Sequence, residues 1–310
     1  MTNKTAAVFS ILLIIISSFF TGASHADTNI VTVKDLRDAT YTGIEEKAVT
    51  LSNGQWEGEP YVEGGASRPS VGLLEDIQFT GDLNGDGQDE TVAILWQNAG
   101  GTGSNTYLAV MNKRDGNLEN IATALIGDRV KLRGGKIVSG EILLDVLQAG
   151  ESDAMCCPTQ LATRTWSLQE NQLKEGEIKM METLSLEALK GTNWILTHTD
   201  RDAPLDEGIE ITLAFSDARV SGKSACNRYS AGIEEGDNAG DIRIGQSMGT
   251  MMACPEEVMK AEREYLQHLS HVNNFSFFSG SLALTGETKD GNFYTMLFKP
   301  AETSKPLYNP

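Results

Sequence analysis

The chain has 310 residues, with 43 acidic side chains against 25 lysines and arginines, a formal charge of −18. That balance repels the phosphate backbone of nucleic acids and anionic membrane surfaces. Cations, cationic proteins and neutral molecules remain as expected partners, and the length suffices for two hydrophobic cores.

The first residues read as an export signal. Lys4 gives a charged start, Ala6 to Phe20 form a short apolar stretch, and Thr21-Gly22-Ala23-Ser24-His25-Ala26 places small residues before a cut at Asp27. A membrane-spanning helix needs about 20 apolar residues, more than this run holds. A lipoprotein needs a cysteine just after the cut, and the first cysteine is Cys156. The expectation is a cleaved signal peptide over 1–26 and a mature protein in the periplasm or secreted, with no membrane span.

Residues 27 to about 72 are weakly patterned, and a few short strands or a mobile arm are expected there. From Gln78 short β-type runs alternate with turn residues: Thr91 to Trp96, Tyr107 to Met111, Leu118 to Leu125 and Ile142 to Leu147. Gly134-Gly135 between Val130-Lys131-Leu132 and Lys136-Ile137-Val138 reads as a hairpin turn, and Glu170-Asn171 as a second one closing the unit. Beyond Met180 to Glu187, strand-like runs recur at 209–215, 219–224, 242–244, 275–278, 281–284 and 293–298. One helix interrupts them, with Pro255 at its first position, Glu256 and Glu257 near its positive end, and Val258, Ala261, Tyr265 and Leu269 as its apolar stripe. The predicted fold is β-rich α+β with two antiparallel-sheet domains, 27–180 and 185–300, and a tail over 301–310. The second domain is a curved sheet with one packed helix.

Chemistry has few candidates. Asp82, Asn84 and Asp86 stand at loop positions 1, 3 and 5, with Gly87 at 6, Gln88 at 7 offering a carbonyl, and Glu90 at 9, a set of oxygens that suits Ca²⁺. Position 12 is Ala93 and no helices flank the loop, so this is not an EF-hand; a solvated acidic turn is the alternative. Cys156 and Cys157 are adjacent, and a bridge between them is strained because neighbouring Cα atoms lie closer than disulfides prefer. The alternatives are two thiols, or one cysteine bonded elsewhere. The mature chain has three histidines, His198, His268 and His271, and no G-x-S-x-G elbow. His268 and His271 stand three apart with no acidic third ligand nearby. Gly222-Lys223-Ser224 lacks the first glycine of a phosphate loop, since residue 217 is Asp.

The second unit resembles the META/HslJ family over nearly its whole length. Leu189-Lys190-Gly191-Thr192-Asn193-Trp194-Ile195-Leu196 matches its opening, Ser221 to Tyr229 (SGKSACNRY) its central stretch, and Gly249 to Glu256 (GTMMACPE) the segment before the helix. Leu282-Ala283-Leu284 and Met296-Leu297-Phe298 fit its tail. Two pieces upstream, Gly81 to Gly87 and Asp153 to Gln160, resemble a segment found before META-like domains in other exported bacterial proteins. The resemblance implies a small export-associated domain linked to heat shock, antibiotic tolerance or virulence, without an assigned catalytic mechanism. It also implies Trp194 in the core, Asn227 in a tight turn, and Cys226 facing Cys254 as a disulfide.

The expected role is non-catalytic, namely ligand or protein binding, or protection under envelope stress, with no catalytic residues. Ligand surfaces are expected at the 100–105 loop beside Cys156 and Cys157, and at the turn carrying Asn227 and Tyr229. Two other readings stay open: a periplasmic inhibitor docking its acidic face on a cationic hydrolase, and a thiol-dependent enzyme using Cys156 and Cys157.

Overall fold

The computed structural model describes residues 29–154 and 156–302. The predicted signal peptide and most of the predicted tail lie outside the described residues.

The first sheet runs in the order Gln55–Glu57, Ser70–Gly81, Glu90–Asn98, Asn105–Arg114, Asn117–Asp128, antiparallel throughout. Glu90–Asn98 is the middle strand and carries the unbroken apolar run, because both its faces are covered. Val92, Ile94, Leu108 and Val110 pack on Leu132, Leu144, Val146 and Trp166 of a second sheet, formed by Lys131–Val138, Glu141–Gln148, Gln160–Gln169 and Gln172–Glu175, with Lys179–Thr183 also paired to Gln160–Gln169. On the opposite face, Ala93, Leu95, Ala109 and Met111 are buried beneath Leu36, Tyr41, Val49 and Leu51. The weakly patterned segment before Gly72 is therefore a cover for the sheet, with a short helix, Val33–Arg37, and a two-strand pairing, not a mobile arm. Burying a side chain of this size stabilises by about 1.5–3 kcal/mol, which holds the segment down.

Two-residue turns set the registers. Glu170-Asn171 joins Gln169 to its partner Gln172, with φ of 50° and 59°, the left-handed pair that suits strand twist. The hairpin expected at Gly134-Gly135 is a correction. Those glycines lie inside Lys131–Val138, where the register shifts between Leu132 and Gly134, and the turn is Ser139-Gly140. Gly135 is required because Phe79 and Leu144 press on its backbone, leaving no room for a Cβ.

The C-terminal sheet is curved almost into a barrel. Its order is Ile242–Ile244, Arg228–Glu235, Arg219–Lys223, Thr212–Ser216, Asn193–Asp200, Phe293–Pro300, Ser281–Glu287, Val272–Phe278. The two ends approach through an Asp241–Asn274 bridge and a bond from the Phe275 N–H to the Gly240 carbonyl at 2.8 Å. The helix Glu256–Leu269 packs Tyr265 and Leu269 into the core, and Pro255 is its N-cap, one residue before the expected start. Trp194 is buried, its indole N–H donating to Thr192 Oγ1 at 2.7 Å.

The two units share apolar packing. In Glu141–Gln148, Ile142, Leu144 and Val146 face the sandwich, while Leu147, with Leu161 from the next strand, joins the core of the C-terminal sheet. Leu184, in the crossing segment, is buried in the same core, and its N–H donates to the Thr159 carbonyl.

Candidate functional site

The acidic loop is knotted by its own amides. Asp82 accepts from the N–H groups of Gly85 (2.7 Å) and Gly87 (3.0 Å), Asn84 Oδ1 from Asp86, and Asp86 Oδ1 from Gln88. The Arg114 guanidinium pairs with the other Asp86 oxygen. The Gln88 N–H, with help from Arg114, holds the Asp86 carboxyl below its usual range. Glu90 is withdrawn from solvent, accepting from Leu83 N–H and from the amides of Asn84 and Asn112. Burial pushes its carboxyl up, with Asp86 and Asp82 adding to the rise. Among the described residues no three His, Cys, Asp or Glu side chains group to hold a metal.

The turn carrying Asn227 and Tyr229 is internal. Asn227 is buried: Oδ1 accepts from Thr250 Oγ1 and Met252 N–H, both at 2.7 Å, and Nδ2 donates to Glu262 Oε1 at 2.9 Å. Glu262 Oε2 also accepts from the Asn227 N–H and Ser224 Oγ, both at 2.7 Å. Burial disfavours the Glu262 charge, yet these donors outweigh it and hold its carboxyl below the usual glutamate range. The Cys226–Cys254 disulfide, Cα atoms 6.0 Å apart, closes the same corner, where Ala225 sits at φ +79°. Tyr229 OH bonds Tyr265 OH at 2.6 Å inside the core. The expected ligand surface at Asn227 and Tyr229 is thereby corrected: with their polar atoms satisfied by the protein, both residues are structural. Glu262 is the residue that sequence reasoning missed. An acid on the apolar stripe of the helix, four after Val258 and three before Tyr265, was the available signal.

Cys156 and Cys157 are bonded to each other, so the readings as separate thiols or as bonded elsewhere give way. Asp153 anchors their loop, accepting from Gly150 N–H at 2.8 Å and Thr159 N–H at 2.7 Å. The neighbouring 100–105 loop is tied by Asn98, which accepts from Gly100 N–H and donates to the Gly101 and Gly103 carbonyls. Gly222-Lys223 lies within a strand, with Lys223 paired to Glu210, and is no phosphate cradle. His268 stacks on Tyr294 with ring centroids 4.3 Å apart, and His271 Nδ1 meets the Gln267 carbonyl.

Between the domains lies a cavity of about 540 Å³. The first sheet contributes Leu74 and Trp96, the second Lys131 and Leu132, the C-terminal sheet Phe277 and Phe278, and Cys156 stands in its wall. Trp96 lies flat over Gly72, where any side chain would collide with the indole. Beside the cavity, Arg133 is buried against Asp145 at 3.1 Å and stacks over the Phe277 ring at 4.8 Å, bracing the domain junction. Burial lifts the Asp145 carboxyl to about 6 against the pull of Arg133. Of the 100–105 loop, Ser104 lines the cavity, flanked by Asn98 and Thr106.

Residues 187–299 match the family model for the META domain, so the chain carries a META domain in its C-terminal part. Among the solved structures similar to this chain are two determined by nuclear magnetic resonance. One, titled an NMR structure of the protein from Burkholderia xenovorans, is 25% identical over 41% of this chain and 95% of its own, with a TM-score of 0.30. Another NMR structure is 17% identical over 38% of this chain and 95% of its own, also with a TM-score of 0.30. Comparison with curated proteins finds no match.

Proposed function

We propose that the chain is a non-catalytic binding module of the bacterial envelope, exported through residues 1–26, and that its ligand enters the cavity at the domain junction. The observation that carries this reading is the composition of the cavity wall: all three sheets contribute, so the site exists only when the META domain is docked on its partner. Cavities of about 300–1,000 Å³ with aromatic walls and few polar groups are the usual form of small-molecule sites. Nuclear magnetic resonance of the mature chain with decanol as the probe tests the reading. A saturable shift of the Trp96 indole N–H signal, identified with Trp96→Phe, is expected; no shift there would remove the cavity as a site.

A second reading concerns the 82–90 loop. Its side-chain oxygens gather around the amides at 85–88, and the Arg114 guanidinium pairs with Asp86 there. Calcium at this loop would displace Arg114 from Asp86 and would bind weakly, in the range of about 10⁻⁴–10⁻³ M typical of extracellular modules.

A further inference from the structure

Lys131 lines the junction cavity as a half-buried ammonium whose hydrogen-bond partner is a neutral hydroxyl, Ser276 Oγ at 2.7 Å. No carboxylate among the described residues pairs with it, and burial alone pulls its pKa below the ordinary lysine value. A cation removed from water without a counter-charge is costly, and an anion arriving beside it relieves that cost. The rest of the wall agrees. In a chain with 43 acids, the cavity lining holds two cations, Lys131 and Arg129, and no acid. Arg129 is already engaged by Asp128 and the Thr102 carbonyl, which leaves one ammonium for a ligand. The remaining surface is mainly apolar: Leu74, Trp96, Leu132 and Phe277.

We infer that the cavity takes a monoanionic carboxylate with an apolar body, an alkyl or aryl carboxylate, whose charged end meets Lys131 while its body lies between Trp96 and Phe277. The charge count argues against a dianionic phosphate, because a single available ammonium balances one negative charge. Aromatic and aliphatic walls reward the burial of hydrocarbon at roughly 0.8 kcal/mol per methylene. The negative surface of the chain does not prevent entry, since it is screened beyond about 8 Å at physiological salt. This inference rests on the cavity being the binding site.

Calorimetric titration of the mature chain at neutral pH with decanoate, decanol and decyltrimethylammonium tests it. Decanoate is expected to bind at least about tenfold more tightly than decanol, the effect of one charge-assisted hydrogen bond, and the cationic probe more weakly than either. Lys131→Gln should abolish the preference for decanoate over decanol, and Lys131→Arg should restore it. Equal binding of decanoate and decanol, or an undiminished preference in Lys131→Gln, overturns the inference while the cavity stands as a site. Absence of binding by all three probes overturns both.

Discussion

Glu262, on the helix, accepts hydrogen bonds from both the backbone N–H and the side-chain amide of Asn227, 35 residues earlier in the chain. Asn227 passes the connection on to Thr250 and Met252, so the helix, the 224–227 turn and the 250–252 segment meet at one buried carboxylate. Glu262→Ala leaves several donors without an acceptor. A loss on the order of 3 kcal/mol is expected in urea unfolding, with Glu262→Gln recovering part of it.

The same carboxylate sets an acid limit. Its pKa in the fold lies below the unfolded value, so its stabilisation is full above the usual glutamate value of about 4.3 and is lost as pH falls through the folded value. Unfolding followed below pH 5 should therefore show a steeper loss of stability in the wild type than in Glu262→Gln. Parallel curves would contradict this role.

Cys226 and Cys254 close a loop with a sequence separation of 28. Replacing both by alanine should lower stability by about 3.5 kcal/mol on the chain-entropy estimate. Reduction of a chain carrying Cys156→Ser and Cys157→Ser should lower the melting temperature through this bridge, and an unchanged temperature would show that the bridge constrains nothing.

Arg133 and Asp145 form the buried ion pair at the domain junction, with one nitrogen and one oxygen left without partners. Asp145→Ala strands the guanidinium and should cost about 3–5 kcal/mol, whereas Arg133→Met with Asp145→Leu should cost much less. Equilibrium unfolding of the three chains distinguishes these outcomes.

If calcium occupies the 82–90 loop it competes with Arg114. Millimolar Ca²⁺ should then raise the melting temperature more in Arg114→Ala than in the wild type, and not at all in Asp86→Ala. A flat response in all three removes the calcium reading.

Much of this architecture was legible from local pattern. The run Thr91 to Trp96, the left-handed turn at Glu170-Asn171 and the stripe ending at Leu269 follow from periodicities that neighbouring residues set. Gly134-Gly135 misled because a glycine pair serves equally as a turn or as the point where a strand yields to Phe79 and Leu144. The cover formed by Leu36, Tyr41, Val49 and Leu51 was hidden because its apolar residues follow the face they cover, not a period of their own. The cavity was the least legible feature. Trp96, Lys131 and Phe277 are far apart in sequence, and only the packing of three sheets brings them together.

A crystal structure of the mature chain grown with decanoate tests the central claim most directly. The account predicts the two domains docked through Arg133 and Asp145, with the alkyl chain between Trp96 and Phe277 and the carboxylate at Lys131. Domains separated from one another, or decanoate bound only elsewhere on the surface, would contradict it.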